Sequence, residues 1–214
     1  MIPIANNSQL KIAAKYLSDQ DPVLTLVIEQ AGIATITPHK NYYQELVESI
    51  ISQQLSVKAA ATIFKRFLAL FPGSEFPTPE LILQKDIEDL RSVGLSRQKG
   101  SYIQDLALKV IEGTVKFNHL DVLSNDEIIA ELTQIKGVGV WTVHMFLIFC
   151  MGRLDVLPIG DLGIKNGIAK LYGFARSPTV DEILAIAEKN RWAPYESIAS
   201  WYVWHSLDNK PAIN

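Results

Sequence analysis

The sequence predicts an all-α fold of two helical lobes with a cleft between them. Three observations carry this. Apolar residues recur at helical rather than alternating spacing, as in Leu46, Val47, Ile50 and Ile51. A Ser, Thr or Asp stands before most such segments, where a side-chain oxygen can accept from the first free amides of a helix. Only Val156–Leu157 reads as locally extended, so no substantial sheet is expected.

The elements follow in order. Asp21-Pro22 starts a helix that Gly32 stops, because Pro suits the first helical position and Gly the position past the end. Asn41 to Ser52 is a second. Ser56 caps a helix through Leu70, ended by Pro72 and Gly73. Thr78-Pro79 caps a short one, and Asp86 to Val93 is another, stopped by Gly94. Ser96 begins a long helix to about Glu112. Ser124-Asn-Asp-Glu127 and Thr179-Val-Asp-Glu182 are capping boxes, the second opening a helix to about Asn190. The last helix runs from about Tyr195 to Leu207. The lobe boundaries expected from this order are N-terminal helices in 1–43, a central lobe over 44–153 and a C-terminal lobe over 154–214. The first and last segments would pack as one lobe.

The chain has 214 residues, 48% hydrophobic and 20% charged, enough for lobes with a real core. No apolar run is long enough to span a membrane, and no basic-then-apolar start suggests a signal peptide. The one cysteine, Cys150, fits a reducing cytoplasm and lies in an apolar run that reads as core. Net charge is −3, which alone argues against a nucleic-acid partner. The distribution is uneven. Residues 133–176 hold Lys136, Arg153, Lys165, Lys170 and Arg176 against Asp155 and Asp161, a surplus of 5 − 2 = +3, so the remainder is −6. Arg91, Arg97 and Lys99 form a second basic cluster, read as free of nearby acids.

Leu132 to His144 reads as the end of a helix, a Gly-containing hairpin Lys136-Gly137-Val138-Gly139, and a second helix from about Val140. Both glycines permit positive φ and leave the backbone uncovered. The amides of residues 137–139 precede a helix N-terminus, whose partial positive charge favours an anion. Such a hairpin can hold a phosphate without reading bases, with Lys136 adding a cation. It can equally be a plain tight turn. Further on, Leu157-Pro158-Ile159-Gly160 ends on Asp161, ahead of a helical pattern. Asp161 is a natural cap. A carboxylate so placed could also face a developing sugar cation.

Leu132 to Asp161 resembles the helix-hairpin-helix–Gly/Pro–Asp DNA glycosylases, and within them the 3-methyladenine DNA glycosylase II branch in its compact form. Leu46 to Val57 resembles that family's helix with a Gln-rich loop, Phe76 to Ser96 its next helices, and Trp192 to Ser197 its C-terminal aromatic turn. About forty residues precede the core, too few for the extra β-rich domain of the best-known bacterial members. The resemblance implies a repair enzyme that flips an alkylated purine out of double-stranded DNA and hydrolyses its glycosidic bond, with Asp161 as the catalytic carboxylate. Strand-cutting relatives carry a Lys nucleophile two residues past the last hairpin Gly. Trp141 stands there, and Trp forms no Schiff base, so the expected enzyme is monofunctional. One Cys excludes a Cys-ligated iron–sulfur cluster within one chain. No cofactor is expected to be required. The resemblance leaves room for a structural monovalent cation on the carbonyls of Thr133, Ile135 and Val138.

Flipping needs a residue to fill the vacated stack, and Gln53, Gln54 and Leu55 are the candidates. The flipped base needs π faces. Trp141 is the first choice; Tyr195 and Trp201 follow, although Trp201 also reads as core, and Tyr42 and Tyr43 stand outside. Cationic N3-alkyladenine or N7-alkylguanine would gain about 0.5–2 kcal/mol per ring over a neutral base. Lys165 joins Lys136 and residues 137–139 as an expected phosphate contact. His144 reads as structural. A monomer is expected, acting on DNA and not on membrane. Two other readings fit: a related glycosylase for another damaged base, and a non-catalytic helix-hairpin-helix DNA-binding protein. Asp161 separates the last, because binding alone gains nothing from an acid near phosphate.

Overall fold

The computed structural model of the protein describes residues 4–208, the last of these by its backbone only. It is helical. In chain order the helices are α1 Asn7–Gln20, α2 Pro22–Ala31, α3 Tyr42–Ser52, α4 Val57–Ala69, α5 Pro79–Leu83, α6 Ile87–Ser92, α7 Arg97–Ile111, α8 Asn125–Leu132, α9 Val140–Met145, α10 Leu162–Tyr172, α11 Val180–Lys189 and α12 Glu196–Asp208. A 3-10 turn covers Leu120–Val122, and Phe146–Cys150 is a π-helical turn. No strand forms among the described residues. Ile4 and Arg153 make one isolated antiparallel bridge. No described helix is long and apolar enough to cross a membrane.

The caps sit where the sequence puts them. Ser56, Thr78, Asp86, Ser96, Ser124, Asp161 and Thr179 each accept from an amide of the following first turn. Each such cap is worth about 1 kcal/mol over alanine.

The chain divides into two compact units. The continuous unit is Lys40–Phe146, and the described residues on either side form the discontinuous unit. In the continuous unit α7 is the common support, packing on α3, α5 and α6. Leu46, Val47, Ile50 and Ile51 of α3 are all buried, as their spacing requires, and so are Phe67, Ile82, Leu90, Ile103 and Leu106 of the same unit. Full burial of each aliphatic side chain contributes about 1.5–3 kcal/mol, an upper bound for an extended reference chain.

In the discontinuous unit α12 packs on α10, α2 and α1. Asp21 is more than a cap there. It is fully buried, and Oδ1 accepts from the amides of Val23 and Leu24. Its Oδ2 accepts from Trp192 Nε1 at 2.8 Å and Tyr172 Oη at 2.5 Å. Burial and this carboxylate push the Tyr172 hydroxyl well above its ordinary pKa.

The structure departs from expectation in four places. Helix α1, which no sequence signal singled out, is capped by Asn6. Val156–Leu157 is not a strand; Val156 instead exchanges bonds with the Ser197 hydroxyl, which ties the loop to the start of α12. The basic cluster has an acid close by: Arg91 and Arg97 both reach Glu88, at 2.6 and 2.5 Å. Arg176 forks onto Glu182, so the surplus charge of residues 133–176 is partly neutralised.

Candidate functional site

The hairpin stands on α7. Gly137 has φ +81°, and an added Cβ would lie 2.0 Å from Tyr102 Cδ2. Backbone conformation and space both demand glycine there. The Lys136 amide donates to Asp105 Oδ2 at 2.9 Å, and Lys136 Nζ lies 3.4 Å from Oδ1. The Val138 amide donates to the Ile135 carbonyl at 3.1 Å, closing the turn. Two of the groups expected to meet phosphate have partners within the protein. The Val138 amide is committed within the turn and its side chain is buried, and the Lys136 charge is shared with Asp105. Gly139 also differs from expectation. Its φ is −96°, it precedes α9 without a side-chain cap, and a Cβ there would meet nothing within 4 Å. No described group accepts from the amides of Gly137 or Gly139. These amides and the uncapped start of α9 are the donors that the hairpin leaves without an acceptor among the described residues.

An open cavity of about 1070 Å³ lies within the same unit, lined among others by Trp141, Met145, Phe64, Tyr102, Gln53 and Gln54. Trp141 is 50% exposed on the first turn of α9, unusual for so large an apolar ring. His144, one turn on, is half-buried, and desolvation holds its pKa below the usual histidine range.

Asp161 belongs to the discontinuous unit. The loop before it is a tight turn, with the Asp161 amide bonded to the Pro158 carbonyl at 2.9 Å. Asp161 Oδ1 accepts from the Ile164 amide and from Trp204 Nε1, each at 2.8 Å. Two glycines make this possible. A Cβ at Gly163 would lie 2.8 Å from Trp204 Cδ1, and one at Gly167 would lie 2.7 Å from the Val203 carbonyl oxygen. Without side chains at 163 and 167, α12 approaches α10 closely enough for an indole N–H to reach the cap carboxylate. Phe149 packs on the Trp204 ring with centroids 5.7 Å apart. The carboxylate is thus held in one orientation by a helix start and an aromatic donor.

The profile of the HhH-GPD superfamily of base excision DNA repair proteins matches residues 47–192. The chain belongs to this superfamily. It is 42% identical over 166 residues to a DNA-3-methyladenine glycosylase of Schizosaccharomyces pombe, covering 77% of this chain and 72% of that protein. An alkylbase DNA glycosidase-like protein of the same organism is 32% identical over 205 residues, covering 94% and 95%. Among solved structures, a Schizosaccharomyces pombe 3-methyladenine DNA glycosylase in complex with abasic DNA superposes with TM-score 0.76. It is 37% identical and covers 90% of this chain and 94% of that one.

In this HhH-GPD chain the expected site residues divide by unit. Gln53, Gln54, Leu55, Lys136, Gly137, Val138, Gly139 and Trp141 lie in the continuous unit; Asp161, Lys165, Tyr195 and Trp201 lie in the other. Neither unit alone brings the three expected pocket aromatics together. Tyr195 is half-buried edge-on to Tyr16 at 5.2 Å. Trp201 stacks on His205 at 5.0 Å and meets Tyr202 edge-on. Both therefore have packing partners within their own unit. Gln53 is tied down: its Nε2 donates to the Gly137 carbonyl at 2.8 Å. Gln54 is exposed with φ +56°, and Leu55 is 38% exposed. Lys99 caps the end of α3, donating to the carbonyls of Ile51 and Gln53.

Sequence reasoning missed Trp204, Asp105 and Tyr102. Trp204 had a readable signal. Gly163 and Gly167 are four apart on one helix, which marks a face open to close packing, and a Trp-rich helix follows. Asp105 and Tyr102 had none, because their contacts with residues 136 and 137 are long-range.

Proposed function

We propose that the protein is a monofunctional DNA glycosylase that removes alkylated purines of the 3-methyladenine and 7-methylguanine type from duplex DNA. The observation that carries this is the Asp161 carboxylate, fixed at a helix start and bonded by Trp204, in a chain of a base excision repair superfamily. The relatives named for 3-methyladenine point to the lesion class.

The target base leaves the stack, since its glycosidic bond is out of reach within the duplex. The exposed Trp141 offers the π face that prefers a cationic base. The C1′–N bond breaks with its electron pair leaving on the alkylated base, which needs no strong protonation because it already carries positive charge. Asp161 stabilises the cationic sugar, and water adds at C1′ and loses a proton. The Gly137 and Gly139 amides, the start of α9 and Lys165 contact phosphates. At the hairpin the carbonyls of Thr133 and Val138 and the second lone pair of Ile135 suit a weakly held monovalent cation, which would stiffen the turn.

Incubating the protein with methylated duplex should release 3-methyladenine and 7-methylguanine, identified by mass, and leave an intact abasic strand. Borohydride should trap no protein–DNA adduct, since Trp141 replaces the lyase lysine. An adduct would identify another amine as nucleophile. A folded protein that binds DNA and releases no base would favour the non-catalytic reading.

Trp204→Phe should keep the ring packed on Phe149 while removing the Nε1 bond. Base release is expected to fall about tenfold, the rate equivalent of one hydrogen bond to a charged group. Single-turnover rates check it; an unchanged rate would leave Trp204 a purely structural neighbour of Asp161.

A further inference from the structure

Gln53 is one of the three residues expected to fill the vacated stack, and its side chain joins the loop that carries the other two, Gln54 and Leu55, to the hairpin. Its Nε2 donates to the Gly137 carbonyl at 2.8 Å, across 84 residues of sequence. Both ends of this bond are held by α7. On the hairpin side, Gly137 lies against the Tyr102 ring, whose hydroxyl accepts from Gln98 Nε2 at 2.5 Å, and the neighbouring amide is fixed by Asp105. On the loop side, Lys99 Nζ donates to the carbonyls of Ile51 at 2.8 Å and Gln53 at 2.5 Å. Desolvation lowers the Lys99 pKa, as expected for an ammonium drawn against backbone. The next two residues, Gln54 with its left-handed backbone and Leu55, form the exposed tip.

We infer that Gln53 is a positioning residue that sets the depth of the Gln54–Leu55 tip against the hairpin's grip on the DNA backbone. This rests on the glycosylase reading, in which the hairpin holds phosphate and the tip fills the vacated stack. A tip held at a fixed distance from the phosphate-binding hairpin enters the duplex in one register. A tip hinged only at α3 and α4 samples many, and the ordering cost falls on the flipping step.

Gln53→Met keeps the length and drops the donor; Gln53→Ala is the second variant. Single-turnover release of 7-methylguanine should fall about tenfold from a matched duplex, the rate equivalent of a lost hydrogen bond. Release should recover to near the wild-type rate when the lesion lies opposite an abasic analogue, where little stacking resists flipping. Affinity for undamaged duplex should stay unchanged. A 2-aminopurine beside the lesion reads unstacking apart from chemistry, and its fluorescence rise on binding should be smaller with either variant. Wild-type behaviour on matched duplex, an equal loss on both substrates, or a parallel loss of nonspecific affinity would each overturn the inference. If the wild-type protein releases no base, the glycosylase reading fails, and the 2-aminopurine signal still decides the coupling.

Discussion

Replacing Asp161 by Asn is expected to leave a folded protein that releases alkylated bases at least about a hundredfold more slowly, the scale of losing a charge aimed at a cationic transition state. The geometry makes this a clean test. An amide oxygen at the Oδ1 position can still accept from the Ile164 amide and from Trp204 Nε1, so the cap and the orientation survive. The negative charge is removed, and the second carboxylate oxygen becomes an amide NH2. Circular dichroism should show an unchanged fold, and single-turnover release from methylated duplex measures the loss. A folded Asn variant with near wild-type rates would remove Asp161 from catalysis.

Gly139→Asp is expected to weaken binding to damaged and undamaged duplex alike by about tenfold to a hundredfold, because setting a carboxylate against a phosphate costs on the order of 2 kcal/mol. Gly139 is the right position because φ is −96° and a Cβ there meets nothing within 4 Å. Asp is also a good N-cap for α9, so thermal stability should hold or rise while affinity drops. The same change at Gly137 would drive Cβ into the Tyr102 ring and report on folding instead. Fluorescence anisotropy at several salt concentrations separates the outcomes. A stable Gly139→Asp protein that binds as well as wild type would reduce the hairpin to a structural turn and place the DNA contact elsewhere.

Helix starts were the most legible part of the fold. A cap is a local device: one side-chain oxygen meets an amide two or three residues on, so Ser56, Ser96, Ser124 and Thr179 declare themselves without tertiary help. The hairpin and the carboxylate at Asp161 were legible for the same reason, as short stretches in which glycine, proline and one acid have positional meaning. The availability of individual donors was not. Val138 looked like a free amide, and only the turn geometry shows it bonded to Ile135. Lys136 looked like a free cation, and only the fold brings Asp105 to it. Arg91 and Arg97 differ from each other in this: Glu88 stands three residues before Arg91 on the same helix and was legible as its partner, whereas the fold alone brings Arg97 to the same acid.

By itself the sequence determined that the chain is helical, where most of its helices begin, and which carboxylate and hairpin to examine. Each depends on interactions spanning a few residues. Tertiary structure decided which groups those features face. It placed Trp204 on Asp161 across 43 residues, Tyr102 beneath Gly137, and the Gln53 amide on the hairpin carbonyl across 84. These contacts depend on how closely helices pack, which is set where glycines remove a side chain, and no periodicity along the chain records which distant residue enters that space.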